Sequence, residues 1–277
     1  MLIDLHSHTN ESDGSDSPSE LIDIARRTQV GILAITDHDT FAGYDRALSA
    51  ARDAGIELIC GIEISAKLQG HSSHLLGYFT KTDELSGFRE WIKQLQVSRR
   101  ERNVRLAARL RELGMDITIE EAEARGRALT GRPHFAQILV EKGYAPTMQR
   151  AFDDYLDESA PGYVYRNEPE FLDAVQKIRQ AGGVASLAHP IRLKCDVQTV
   201  LPEMVESGLN AIEAYHSDHS PEDTELYLSL ARDYGLLRTG GSDFHGSTKP
   251  DVALGKGRGG NLHIPREVVD ELRAASS

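Results

Sequence analysis

Residues 31–39 read GILAITDHD. Gly31 to Ile35 have the length and apolar character of a buried strand, and the polar run Thr36-Asp37-His38-Asp39 begins where the strand stops. Ionisable groups crowded at the end of a buried strand repel or desolvate one another unless a cation lies nearby. His38 is the expected ligand of such a cation, with Asp37 and Asp39 as supporting or capping groups. The alternative is a solvated turn whose aspartate caps the next helix.

Outward from this stretch the pattern recurs. Leu2 to Leu5 ends at His6; Ile56 to Ile59 leads to Gly61-Ile62-Glu63; His74 to Phe79 reads as a further strand. Val184 to Ala188 ends at His189-Pro190, Ala211 to Tyr215 at His216 and His219, and Leu236 to Thr239 at the loop carrying Asp243 and His245. Helical patterns lie between. The first opens at Ser17-Pro18-Ser19-Glu20, with a capping serine, a proline at the first helical position and an acid three residues after the cap. Others run over about 41–54, 169–181, 197–207, 221–234 and 266–275. Strands alternating with helices imply a parallel sheet, because parallel neighbours need crossover connections. The expected fold class is α/β, with seven strands closed into a barrel whose strand C-termini share one rim, where barrel enzymes build their sites. Residues 81–162 interrupt the alternation with helical, charge-rich sequence, including arginine at 99, 100, 102, 105, 109 and 111. They are expected to form an inserted, mainly helical subdomain for substrate recognition, with 1–80 and 163–277 forming the barrel.

Composition narrows the classes. A chain of 277 residues, 40% hydrophobic, suits one large domain or a domain with an insert. The formal net charge of −12 disfavours wrapping of a long nucleic-acid duplex, whose affinity comes from lysine and arginine neutralising phosphates. No stretch approaches the ~18 apolar residues of a membrane span, and the start, MLIDLHSH, lacks a signal-peptide pattern, so a cytoplasmic protein without membrane attachment is expected. Cys60 and Cys195 read as two reduced thiols.

The donors themselves have informative spacing. In His6-x-His8, period-2 alternation puts both imidazoles on one side of the chain, able to reach one metal; alone the pair reads equally well as two hydrogen-bonding histidines. Glu63 can bridge two metals through its two oxygens, which an imidazole cannot do. Gly240-Gly241-Ser242-Asp243-Phe244-His245 repeats the two-residue spacing after glycines that permit close backbone approach. His74 and His189 add two further nitrogens. Nitrogen and oxygen donors without cysteine suit manganese, iron, zinc or magnesium.

This order of motifs, HxH, TDHD, GxE, H, HP and SDFH, resembles the PHP (polymerase and histidinol phosphatase) superfamily over essentially the whole chain. The resemblance implies a distorted (β/α)7 barrel with a site for three divalent ions, manganese first among them. Carried over residue by residue, it implies His6, His8, Glu63 and Asp243 around one metal, Glu63, His74 and His189 around a second, and Asp13, His38 and His245 around a third. Within the insert, Gly131-Arg132-Pro133-His134-Phe135, Asp153-Asp154-Tyr155-Leu156 and Pro161-Gly162-Tyr163-Val164 resemble the group containing a 3′,5′-nucleotide bisphosphate phosphatase and a 5′-to-3′ exonuclease of short RNA. That implies Arg132, His134, Arg99, Arg102 and His219 as substrate contacts, and His134 and His219 as candidate proton donors. The expected reaction is hydrolysis of the 3′-phosphate of a nucleoside 3′,5′-bisphosphate, or of a short 5′-phosphorylated oligonucleotide, by attack of a metal-bridging hydroxide. The alternatives are a cyclic phosphodiester or histidinol phosphate as substrate, and, outside catalysis, a polymerase-accessory metal-binding module.

Overall fold

A computed structural model describes residues 1–275. One seven-stranded sheet takes its strands in sequence order: β1 (Leu2–Asp4), β2 (Val30–Ile35), β3 (Glu57–Leu68), β4 (His71–Phe79), β5 (Val184–Leu187), β6 (Ala211–His216) and β7 (Leu237–Gly241). Helices α1 (Pro18–Thr28) and α2 (Ala42–Ala54) connect the first three strands. After β4 come α3 (Ser86–Glu112), α4 (Ile119–Glu123), α5 (Arg132–Glu141), α6 (Met148–Ala151) and a π-helical turn, Phe152–Leu156. Then α7 (Phe171–Gln180) precedes β5, α8 (Val197–Glu206) and α9 (Pro221–Tyr234) join the last strands, and α10 (Arg266–Ala275) follows. The Ser17 cap behaves as its sequence promises: the Glu20 amide donates to Ser17 Oγ, and Glu20 accepts from the Ser17 amide at 2.7 Å. No helix among the described residues is long and apolar enough to cross a membrane.

The sheet closes on itself. The Leu5 amide donates to the Gly240 carbonyl at 3.1 Å, Asp243 to His6 at 2.9 Å and His8 to Phe244 at 2.9 Å, so the end of β1 pairs with the end of β7. The Tyr78 hydroxyl of β4 also donates to the Leu5 carbonyl at 2.8 Å, a contact three strands distant that a flat sheet could not make. A side chain at Gly241 would overlap the backbone and Cβ of His6. Glycine is therefore required where the barrel shuts against His6.

The expectation of a wholly parallel sheet needs one correction. β4 runs antiparallel to both neighbours. A two-residue turn at Gln69-Gly70, with φ of 50° and 83°, folds β3 back on itself as a hairpin. The reversal leaves His74, near the start of its strand, level with residues that follow the other strands.

The helices after β4 carry an apolar cluster of their own, with Leu106, Leu110, Ile117, Phe135, Ile138 and Leu139 among its members. The first half of α3 instead joins the barrel-side cluster through Phe88, Ile92 and Leu95. Burial along α3 recurs at Arg99, Arg102, Asn103, Leu106 and Leu110, a helical stripe in which two arginines occupy core-facing positions.

Closure at Gly241 makes a direct prediction: Gly241→Ala should lower unfolding free energy by about 3 kcal/mol, the scale of overpacking a tight site, read from the urea midpoint. An unchanged midpoint would mean that β7 does not press on His6.

Candidate metal centre

His6 and His8 leave β1 on one side of the chain, and both bring Nε2 to the same oxygen, Glu63 Oε2, at 3.2 and 3.1 Å. His38, past the end of β2, places Nδ1 3.3 Å from that oxygen. The other oxygen, Oε1, faces His74 Nδ1 at 2.8 Å and His189 Nε2 at 3.0 Å. One carboxylate on β3 thus meets five imidazoles. Asp243 Oδ1 lies 3.4 to 3.6 Å from nitrogens of His6, His8 and His245. Asp13 closes the opposite side, with Oδ1 3.3 Å from His245 Nε2 and Oδ2 3.6 Å from His38 Nε2. All nine sequence-predicted donors are brought to one rim. His6, His8 and His38 each belong to two clusters: His8, Asp13, His38 and His245 form one group of donors within 4.8 Å of one another, His6, His8 and Asp243 a second, His38, Glu63 and His74 a third, and His6, Glu213 and His216 a fourth.

The donor set fits divalent cations. His8 Nε2 and His38 Nδ1 are buried with no hydrogen-bond partner, and the His8 and His245 rings stack at 4.1 Å between centroids. Burial works against the charges of Glu63 and Asp13, but surrounding imidazoles outweigh it and hold both carboxyls well below the usual range. Burial pulls His38 and His189 down to about 3, leaving neutral rings. For His8 burial acts downward too, yet Asp243 and Glu63 carry it up to about 9, so a cation there would compete with a proton.

Three strained residues frame the centre. Asp39, His189 and Asp243 have φ of 48°, 25° and 56°, a region sparsely used by non-glycine residues and tolerated where surroundings over-determine it.

Several supporting residues were not legible in the sequence. Glu213, in the middle of β6, sets Oε1 2.9 Å from His6 Nδ1 and accepts the His189 amide on Oε2 at 2.6 Å. It therefore orients His6 with Nε2 toward the cluster. An ionisable residue inside the apolar run Ala211 to Tyr215 was the available signal. Arg192 and Lys249 both donate to Asp243 Oδ2, at 2.9 and 2.7 Å, and both line the cavity above the donors. Asp37 accepts from the Thr9 amide, Thr9 hydroxyl and Ser12 hydroxyl at 2.6 to 2.8 Å, tying down the loop that carries Asp13.

That cavity, about 350 Å³, also contains the predicted arginines. Arg99 donates to Asp39 Oδ2 and to Ser65 Oγ at 2.7 Å through Nε and Nη2, which fixes its place in the cavity wall. Arg166, overlooked in the sequence, joins it on Asp39 Oδ2 at 3.0 Å. Arg102 is 5% exposed, its Nε has no partner, and no carboxylate pairs with it among the described residues. Burial, and then the nearby Arg132, Arg99 and Arg166, push its pKa well down. Arg132 lines the same wall, and among the described residues its guanidinium makes one hydrogen bond, to the Leu156 carbonyl at 3.4 Å. His134 and His219 are not among the lining residues. His134 Nδ1 accepts the Gly131 amide at the start of α5. His219 Nδ1 donates to the Ala214 carbonyl at 3.0 Å, which leaves its Nε2 without a proton in the neutral ring, and burial holds the ring neutral. The geometry gives His219 structural work, while His134, accepting on Nδ1, carries its proton on Nε2 in the neutral ring.

The chain resembles known proteins along most of its length. The sequence profile of the PHP domain matches residues 4–165. The chain is 35% identical over 264 residues to the 5′-3′ exoribonuclease Rnm of Escherichia coli, covering 92% of this chain and 89% of that one. It is 33% identical over 248 residues to a 3′,5′-nucleoside bisphosphate phosphatase of Chromobacterium violaceum, covering 88% and 87%. The crystal structure of a candidate metal-dependent phosphoesterase from Bifidobacterium adolescentis superposes with a TM-score of 0.87 at 32% identity, covering 99% of this chain and 96% of that one.

The Asp39 pairings lead to a stability prediction with a defined sign. Burial opposes the Asp39 charge, but Arg99 and Arg166 outweigh it and hold the carboxyl well below the usual range. A depressed folded pKa gives stability that is full above the unfolded value, about 3.9, and is lost as pH falls toward the folded one. Asp39→Asn should cost about 3–5 kcal/mol near neutrality by leaving the buried Arg99 guanidinium without a carboxylate and Arg166 with only its 3.4 Å contact to Glu168. Urea titrations should show the gap between the two proteins narrowing below about pH 4; a gap independent of pH would reject the assignment.

Proposed function

We propose that this chain, which belongs to the PHP domain family and is a metal-dependent phosphoric ester hydrolase, removes the 3′-phosphate of nucleoside 3′,5′-bisphosphates and cleaves short 5′-phosphorylated oligonucleotides. His6, His8, Glu63 and Asp243 would hold one divalent ion, Glu63, His74 and His189 a second, and Asp13, His38 and His245 a third. Manganese suits these nitrogen and oxygen donors, as do iron, zinc and magnesium. Ions there would supply a water acidic enough to attack near neutrality and positive charge beside the phosphoryl oxygens.

The observation that carries the substrate reading is Arg102. A guanidinium buried without a carboxylate is costly unless a ligand brings an anion to it. Arg102 stands in the wall of the cavity that holds the donors, beside Arg132, so the cavity suits a substrate with one phosphate at the cluster and another at the arginines. Planar guanidinium groups match phosphate oxygens in pairs of hydrogen bonds. Leu129, Pro133, Met148 and Phe152 give the same cavity an apolar side on which a nucleobase can lie. Lys249 lines the cavity with Nζ 2.7 Å from Asp243 Oδ2, beside a donor of the proposed metal site.

Phosphate release from adenosine 3′,5′-bisphosphate, adenosine 3′-monophosphate, a cyclic diester and histidinol phosphate, measured in parallel with manganese, tests the reading. Arg102→Ala should raise KM for the bisphosphate about 10- to 100-fold, the loss of one charge-assisted hydrogen-bonded contact, and leave the monophosphate nearly unchanged. Equal effects on both would reject the second phosphate site. Glu63→Gln should lose bound metal by elemental analysis together with activity, and full retention of both would overturn its bridging role.

A further inference from the structure

A second cavity, about 470 Å³, opens between α3 and the segment from Glu123 to Thr130. It adjoins the main cavity, because Arg99 and Leu129 line both. Three cationic side chains besides Arg99 line it: Lys93, Arg100 and Arg127. Arg100 is paired with Glu123 at 2.8 Å, the acid in the same lining. Lys93 has only an exposed contact with Glu90 one helical turn away, of the kind worth a few tenths of a kcal/mol. The Arg127 guanidinium makes no ion pair or hydrogen bond among the described residues, while its backbone amide anchors to the Asn10 carbonyl at 3.2 Å and fixes where it stands. Asn103 adds an independent feature. It is 2% exposed, gives its amide nitrogen to the Thr130 carbonyl at 2.8 Å, and leaves Oδ1 without a donor among the described residues, an unsatisfied acceptor in the groove wall.

The character of this groove differs from that of the main cavity. No aromatic side chain lines it, so it offers no stacking platform for bases. What it presents is positive charge that lacks strong internal partners, on a chain whose net charge is −12, together with polar groups suited to a sugar-phosphate backbone.

We infer that the groove between α3 and residues 123–130 holds the sugar-phosphate backbone of a short single-stranded oligonucleotide downstream of the bond being cleaved. The inference rests on the proposed reading of the main cavity. With the 5′-phosphate at Arg102 and Arg132 and the scissile phosphate at the metal donors, the rest of the strand passes the shared wall at Arg99 and Leu129. It then meets Lys93 and Arg127. A mononucleotide bisphosphate with one phosphate at the arginines and the other at the metal donors has no further phosphate for them, so the groove separates oligonucleotide from mononucleotide substrates without reading base sequence.

The test uses the manganese-loaded protein and its Lys93→Glu/Arg127→Glu variant, two substitutions at exposed positions. Substrates are adenosine 3′,5′-bisphosphate and a 5′-phosphorylated adenylate pentamer. The variant should lose about tenfold or more in kcat/KM on the pentamer and stay within about twofold on the bisphosphate. Its salt dependence on the pentamer should also be shallower, by about 1.4 in the log–log slope for two lost contacts to a single strand. Binding of a labelled pentamer, followed by fluorescence anisotropy, should weaken in parallel. Loss on both substrates alike, no loss on the pentamer, or a wild-type protein that hydrolyses the bisphosphate but leaves the pentamer intact would each overturn the groove and leave the phosphatase reading standing. Failure of the wild-type protein on both substrates would overturn the reading itself and the groove with it.

Discussion

The Glu63 carboxylate is shared by five imidazoles arriving from separate segments of the barrel. A buried carboxylate without partners would cost several kcal/mol, and five histidines crowded together without an anion would repel any proton they acquired. Each side makes the other tolerable, and divalent ions between them would relieve both. The arrangement exists only while β1, β2, β3, β4 and the end of β5 deliver their residues to one level. Register is therefore a chemical constraint here, since slipping β3 by one residue would turn Glu63 to the opposite face of the sheet. The backbone guards against that slip: the Asp39 amide donates to the Glu63 carbonyl at 2.9 Å and the Glu63 amide to the Asp37 carbonyl at 3.3 Å.

Two adjacent residues beyond the end of β2, His38 and Asp39, also couple the centre to the helices after β4. His38 turns toward Glu63, whereas Asp39, with φ of 48°, turns the other way and accepts from Arg99 of α3, Arg166 and the Ser65 amide. Left-handed backbone at a non-glycine residue costs about 1–3 kcal/mol, which the two arginine contacts offset. Any shift of α3 would thus be felt one residue from a candidate ligand. It would also move Arg102, one turn along the same helix, so substrate contact and metal site are mechanically linked through Asp39.

Much of this was legible because the donors follow apolar strands, and apolar runs and strand-end polar groups are local features. The helix at Ser17-Pro18-Ser19-Glu20 and the seven strands could be read for the same reason. The reversal of β4 was not. Its turn is Gln69-Gly70 in place of the more telling Asn-Gly, and Lys67, Ser72 and Ser73 interrupt the apolar pattern on both sides, hiding strands that pair as far as Leu68 and His71. Partnership was hidden as well. Nothing local distinguishes Arg99, tied to Asp39, from Arg102, left without a partner three residues later; only the packing of α3 separates them. Glu213, Arg192 and Lys249 act on residues 24 or more positions away, or across a loop, and so left little trace in the local pattern.

The distribution of charge explains how an acidic chain can still suit a polyanion of limited length. Its acidic excess of 43 Asp and Glu over 31 Lys and Arg is a property of the whole, and surface charges beyond about 10 Å from one another are largely screened at 0.1 M salt. Inside the cavity the balance is different. Among the lining residues the five cations Arg99, Arg102, Arg132, Arg192 and Lys249 face the four carboxylates Asp13, Glu63, Glu168 and Asp243, and Arg102 pairs with no carboxylate among the described residues. Such a field attracts phosphate at short range, where screening and solvent are weakest, while the acidic exterior opposes approach of an extended duplex. Selection for short substrates can therefore arise from the contrast between a buried cationic wall and an acidic surface, without a lid or a steric stop.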